Sequence, residues 1–411
     1  MMILKKKKVL IEKKYIKKGT KKFNRLILAL FSGGFSTFSI LYCVQSILPV
    51  FSKQFHLTPA QSSLSLSSST AMMALGMLFT GPLSDVIGRK LIMSTSLLMA
   101  AIFTIICSSM HSWYSIIILR ALTGLSLSGV VAVAMTYISE EIDPSSLSFC
   151  MGLYISGNTI GGCSGRLLSS ILSEQFSWNV SLMIIGLSSF ISSCFFLCLL
   201  PPSQNFCSVS VNLKKFMKNF CFQLKNIELC ILFFIGFVLM GSFVTIFNYI
   251  GYRLILKPFY LCQSSIGLLS IIYLTGVYSS PKAGILTNKY SQNNILIGSL
   301  SLMFLGVVIT QYNHLFVIIL GLIVFSSGFF ASHSVVSSWV GTCSNSGKVQ
   351  AASLYLFFYY LGSSVFGTFG GFFWFYSKWI GISFFVITML TIGIFLSLKM
   401  KKIKINNNCS A

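Results

Sequence analysis

The stretch Gly81-Pro-Leu-Ser-Asp-Val-Ile-Gly-Arg-Lys90 decides how this chain is read. It places an acid, two glycines and a basic pair in a short connection between two long apolar stretches, in a chain with only 7 acidic residues. Charge of this kind is costly in hydrocarbon, so it marks a point where the chain reaches the membrane surface. Gly81 is expected to permit close helix contact and Gly88 a sharp turn. Asp85 and Arg89 are spaced to pair across one helical turn.

The 411 residues are 55% hydrophobic and 9% charged, with mean hydropathy +0.82. A soluble domain carries about 25% charged residues, so the composition excludes an aqueous globular protein. Apolar segments run over 25–51, 62–80, 91–110, 113–139, 147–172, 178–200, 228–251, 261–280, 295–310, 315–340, 351–373 and 379–398. Each is near the ~20 residues that cross a bilayer, which predicts twelve spans. The first is too long for a leader's apolar core and follows a polar, lysine-rich stretch, so no cleavable signal is expected. With the N-terminus in the cytoplasm, 24 of the 30 Lys and Arg fall on the cytoplasmic side. Lys53, Arg253, Lys257 and Lys378 fall outside, and Arg120 and Arg166 lie within spans. This bias predicts that both termini are cytoplasmic. The net charge of +23 therefore reflects topology, and no nucleic-acid partner is expected. The lysine-rich tail over 1–25 enforces orientation and also suits anionic headgroups. The 12 cysteines show no metal-ligand spacing,.

The spans divide six and six around a polar, basic linker, 201–227, which opens with Pro201-Pro202,. The predicted organisation is a tail over 1–25, bundles over 26–200 and 228–398, and a cytoplasmic tail over 399–411. The halves also repeat. Shifted by 205, Tyr154 falls on Tyr359, Gly157 on Gly362, Gly162 on Gly367 and Gly165 on Gly370. Shifted by 203, Gly81 falls on Gly284, Leu83 on Leu286 and Asp85 on Asn288. Parallel six-helix repeats point to a rocking transporter whose site lies between the halves.

Gly81, Leu83, Asp85, Gly88, Arg89 and Lys90 match the pattern G-x-L-x-D-x-x-G-R-K. From about residue 25 to 398 the chain resembles the major facilitator superfamily. The resemblance implies an all-α membrane protein of twelve transmembrane helices in two pseudo-symmetric six-helix bundles. It also implies a gating role for Gly81, Asp85, Gly88 and Arg89, with Asp85 touching the neighbouring bundle in the outward-facing state. The second copy has Asn288 and Gln292 in place of the acid and the arginine, so gating is expected to be lopsided.

Arg120-Ala-Leu-Thr-Gly124 matches the family pattern R-x-x-x-G, which implies proton coupling or substrate contact; snorkelling to headgroups is the alternative,. Gly152, Gly161 and Gly165 keep the spacing of the family's antiporter pattern, but Arg166 replaces its proline and Ser169-Ser170 its final glycines. Close helix packing is the leading expectation for these glycines, and antiport has weak support. The runs at 156–166, 330–334 and 353–364 resemble the YnfM-type bacterial inner-membrane transporters, related to drug and sugar efflux proteins. By that resemblance Asn158, Asn248 and His333 sit on cavity-lining helices. Tyr154, Arg166 and Tyr359 complete the candidate cavity set.

No Asp or Glu lies deep in a span. Proton coupling, if used, is expected to run through Asp85, Glu140 or His333 or through the solute, with Arg120, Glu140 and His333 as named candidates. Arg120 and Arg166 fall at similar depth with no acid near, which predicts a cavity for a neutral or anionic solute. The sequence thus reads as a secondary active transporter in the cell inner membrane, monomeric and without cofactor or metal. It moves a small solute by alternating access, with efflux favoured over uptake. No nucleophile–base pair, phosphate loop or metal set points to an enzyme. The second reading is a transport-inactive solute sensor on the same fold.

Overall fold

A computed structural model describes residues 15–206, 220–343 and 348–409. Among the described residues the regular structure is helical apart from one isolated bridge, Ile16 with Ile142. The helices are α1 (Lys21–Tyr42), α2 (Leu48–Gln54), α3 (Pro59–Ile87), α4 (Arg89–Ser108), α5 (Trp113–Glu141), α6 (Leu147–Gln175) and α7 (Trp178–Leu199). They continue as α8 (Ile227–Ile255), α9 (Gln263–Leu268), α10 (Thr275–Lys289), α11 (Gln292–Ile309), α12 (Leu315–Cys343) and α13 (Lys348–Cys409).

Polar residues set the helix starts. Thr20, Ser177 and Ser291 each accept a hydrogen bond from the first turn of α1, α7 and α11,. Thr58 and Gln61 close a capping box on α3, with Pro59 in the first turn,. Asn226 caps α8, with Glu228 favourably placed against the helix dipole,. The outer surface stays apolar, for example at Phe79, Ile118, Phe195, Phe316 and Phe395, as a lipid-facing surface must,.

Nine described helices are long and apolar enough to cross a membrane. Three departures from regularity relate them to the twelve expected segments. The last runs through a kink at Ser377 and Lys378 and so contains two of them. α6 is diluted by Gly and Ser, and the segment over 263–289 is interrupted by a 3-10 turn, Leu269–Leu274. Several boundaries also differ. The segment expected over 25–51 ends as α1 at Tyr42, turns, and resumes as α2. Residues 81–87, read as a connection, are the last turns of α3 with Pro82 inside it. The break falls at Gly88 alone, whose φ of 114° suits glycine,. A side chain at Gly81 would meet open space, so the close contact expected there does not exist. α1 begins before residue 26 and α13 continues past 398, so both bundle limits fall inside helices. Residues 207–219 of the expected linker and 1–14 of the tail lie outside the described residues.

Close backbone contact builds each bundle. A Cβ on Gly157, Gly161 or Gly165 would lie 2.6, 2.1 and 2.6 Å from the carbonyl oxygens of Phe31, Phe35 and Ser39. That is a four-residue ladder between the parallel helices α6 and α1. In the second bundle a Cβ on Gly362 would lie 2.0 Å from the Phe237 carbonyl oxygen, so the glycine paired by the 205-residue repeat repeats the close approach. Gly152, in contrast, faces open space and takes no part in the ladder.

Because the helices alternate in direction, the chain starts and ends on one face, here the terminal face. The two bundles join in the half away from it. The Tyr252 hydroxyl meets Ser52 Oγ at 2.6 Å and Ser62 Oγ at 2.5 Å. Gln263 Nε2 donates to the Ser46 carbonyl at 2.5 Å, and Ser364 Oγ to that of Ser67 at 2.8 Å. Gly161→Ala is expected to lower the thermal unfolding temperature by an amount corresponding to about 1–3 kcal/mol of overpacking. Gly152→Ala should leave it unchanged or raise it. Equal destabilisation by the two would show that the ladder does not hold the bundle.

Candidate functional site

On the terminal face, the turn at Gly88 makes Arg89 the first residue of α4 and points it back along α3. Its Nη1 lies 2.5 Å from Asp85 Oδ1 and 2.5 Å from Ser84 Oγ. Its Nε and Nη2 donate to the two carboxylate oxygens of Glu140 on α5, at 3.1 and 2.9 Å. This fork-to-fork pairing is directional as well as electrostatic. Glu140, expected as a coupling candidate, is therefore a partner of Arg89. The pairs all lie within the first bundle.

The start of the linker is fastened over this cluster. Lys90 Nζ donates to the Leu200 carbonyl and Tyr137 Oη to that of Pro201, at 2.6 and 2.7 Å. The buried Glu141 carboxylate accepts from the backbone N–H groups of Gln204 and Asn205, at 3.0 and 2.9 Å. Ile16 adds backbone hydrogen bonds to Glu141 and Asp143. Residues 201–206, the start of the expected linker, are thus seated on the first bundle. Asn288, the repeat counterpart of Asp85, is exposed on α10.

Between the bundles, beneath the closed half, lies a cavity with about 480 Å³ of empty space. The first bundle contributes Phe38, Tyr42, Asn158 and Arg166; the second contributes Phe243, Tyr273, Phe329 and Tyr359, among others. Arg166 is 5% exposed. Its guanidinium lies between two rings, 4.1 Å from the Tyr42 centroid and 4.3 Å from that of Tyr273. Its Nε donates to Gln45 Oε1 at 2.6 Å and its Nη1 to the Gly162 carbonyl at 2.6 Å. Gln45 Nε2 in turn donates to Asn248 Oδ1 at 2.8 Å. A single amide therefore links the cavity arginine to α8 across the bundle interface.

The sequence candidates separate into distinct places. Asn158, Arg166 and Tyr359 line the cavity. Asn248 lies above it, reached through Gln45. His333 stands behind Tyr359, with ring centroids 4.6 Å apart and its Nδ1 2.7 Å from the Tyr355 hydroxyl. Tyr154 is buried one turn below Asn158 on α6 and does not line the cavity. Arg120 is elsewhere altogether, fully buried inside the first bundle. Its three nitrogens donate to the carbonyls of Ser65, Ile40 and Leu41 at 3.1, 3.0 and 2.7 Å. It ties α5 to α3 and α1 and does not line the cavity. The sequence reading missed Gln45 and Tyr273. Gln45 had a signal, as an amide inside an otherwise apolar run, but its partners lie 121 and 203 residues away.

Arg120→Met is expected to reduce stability by on the order of 3 kcal/mol, because it strands three carbonyls that accept from a charged donor. The melting temperature in detergent reports this. An unchanged value would mean that Arg120 is not a staple.

A family model described as Major Facilitator Superfamily matches residues 30–251. A protein of Buchnera aphidicola subsp. Acyrthosiphon pisum, named an uncharacterized transporter, is 75% identical over 99% of both chains. The inner membrane transport protein YnfM of Escherichia coli is 51% identical over 94% of this chain and 93% of its own. In fold, the chain is similar to the nucleoside transporter NupG in a variant form, with TM-score 0.75 and 15% identity, covering 91% of this chain and 99% of that one. It is also similar to a bacterial homologue of the human lysosomal transporter Spinster in an inward-facing, unoccupied conformation. There the TM-score is 0.70 and the identity 14%, covering 93% and 95% of the two chains.

Proposed function

The chain belongs to the major facilitator superfamily of membrane transporters, and we propose that it carries a small neutral or anionic solute across the cell inner membrane by alternating access. One observation supports this above the others: a cavity between two repeat-related bundles holds a buried arginine, and no acid lines it. A cationic solute would meet uncompensated like charge there. The alternating cycle draws support from the one-sided closure. Tyr252, Gln45 and Gln263 join the bundles in the half away from the termini. With both termini in the cytoplasm, as the distribution of Lys and Arg favours, this is an inward-facing state. Asp85 then pairs with Arg89 because the neighbouring bundle has swung away, and Glu140 holds the released arginine in register. The Arg166–Gln45–Asn248 relay ties the solute site to the closed half, so that occupancy and closure bias each other. Export is favoured over uptake by resemblance alone. Proton coupling, where it operates, runs through Asp85 with Glu140, through His333 or through the solute.

In proteoliposomes, the protein should exchange at least one member of a panel of radiolabelled organic acids, sugars and amines with saturable counterflow. A Ser62→Cys, Tyr252→Cys pair joined by a short bifunctional thiol reagent should stop that exchange. Continued flux with the joined pair would exclude alternating access, and binding without flux would favour the sensor reading. In a thiol-labelling assay of cavity access, Asp85→Asn should shift the balance between states strongly and Asn288→Ala hardly at all. Equal effects at both positions would remove the lopsided gate.

A further inference from the structure

Resting on the transporter reading, we propose that the cavity takes a planar aromatic monocarboxylate. Its carboxylate sits on the open edge of Arg166, and its ring lies among the aromatic side chains of the second bundle. A guanidinium has five N–H donors. Here Nε uses one on Gln45 and Nη1 one on Gly162. Among the described residues the remaining three find no protein acceptor, although the side chain is almost wholly buried. Tyr42 and Tyr273 cover both faces of the guanidinium. The free N–H groups can receive a carboxylate in a two-point contact. Among the described residues the Tyr273 hydroxyl also has no hydrogen-bond partner.

Charge and wall chemistry narrow the class. Among the described residues Arg166 is the one charged residue lining the cavity; of the other buried cations of the first bundle, Arg120 donates to carbonyls and Arg89 is paired with Asp85 and Glu140. A single negative charge is balanced there, whereas a phosphate or a dicarboxylate would keep an excess. The facing wall is aromatic. Phe243 and Phe329 stack with centroids 3.9 Å apart, and Phe330 stands edge-on to Phe329 at 5.0 Å. Such a cluster presents both faces and edges, which suits a flat ring better than a puckered one. Apart from Arg166, its hydroxyl and amide groups belong to Tyr42, Asn158, Thr159, Tyr273 and Tyr359. The rest of the lining is Phe38, Met240, Phe243, Phe329 and Phe330 besides Gly162, and a polyol would leave hydroxyls unpaired against that Phe wall.

The test uses purified full-length protein and thermal unfolding with benzoate, benzylammonium, benzamide and cyclohexanecarboxylate at one concentration. Benzoate should raise the unfolding temperature by several degrees and cyclohexanecarboxylate by less, with benzamide and benzylammonium near zero. Arg166→Gln should abolish the benzoate shift, and Arg166→Lys should keep part of it. The ligand series on the unaltered protein decides the matter even if the variants fail to fold. Benzylammonium or benzamide shifting as much as benzoate overturns the proposal, as does no response to benzoate. Counterflow separates the two readings. Exchange of another solute class without benzoate binding sinks this inference and leaves the transporter intact. Benzoate binding with no exchange of any solute sinks the transporter reading and leaves the site.

Discussion

A guanidinium removed from water has to find acceptors inside the protein, and two arginines meet that requirement in opposite ways. Arg120 directs its nitrogens at carbonyls from α1 and α3 and disappears into the first bundle. Arg166, one helix away in sequence, is given a glutamine, one carbonyl and two tyrosine rings, and retains an unpaired edge. The first arrangement ties three helices of the bundle together. The second leaves a reactive point on that bundle's inner wall. A rigid bundle and a polar vacancy facing its partner are the two things a rocking carrier needs.

Rigidity has a second source in the glycines. The ladder of Gly157, Gly161 and Gly165 against α1 brings backbones together where side chains would keep them apart. Gly362 does the same against Phe237 in the other half. Each bundle is thus knit together backbone to backbone, and the two meet at an interface. There the contacts are hydroxyls and amides, such as Tyr252 with Ser52 and Ser62. Such contacts are individually modest, about 0.6 kcal/mol in membrane interiors. An interface made of them closes without becoming permanent.

Much of the fold was legible because hydrocarbon imposes a strong rule on composition and length. Apolar runs, the Lys and Arg bias and the repeated tyrosine and glycine positions outlined the two bundles. Boundaries were less legible. Residues 81–87 read as a loop because charge and Pro82 lie there, yet Pro82 is accommodated in α3 and Gly88 alone makes the turn. Glu140 and Asp85 read as separate functions because they are 55 residues apart, but Arg89 gathers them into one cluster.

What the sequence by itself determined was the class of solvent, the repeat and the residue types that must be accounted for: two span arginines and few acids. Those follow from transfer energies and periodicity, which are local properties of a chain. Which arginine is enclosed among carbonyls and which lines the cavity was decided only by tertiary structure. Both sit in similar apolar surroundings in sequence, and only the helix neighbours differ. Carbonyls of Ser65, Ile40 and Leu41 each take one nitrogen of the first, while Gln45, the Gly162 carbonyl and a facing aromatic wall meet the other. Hydrogen-bond saturation is a property of three-dimensional neighbours, and no spacing along the chain encodes it.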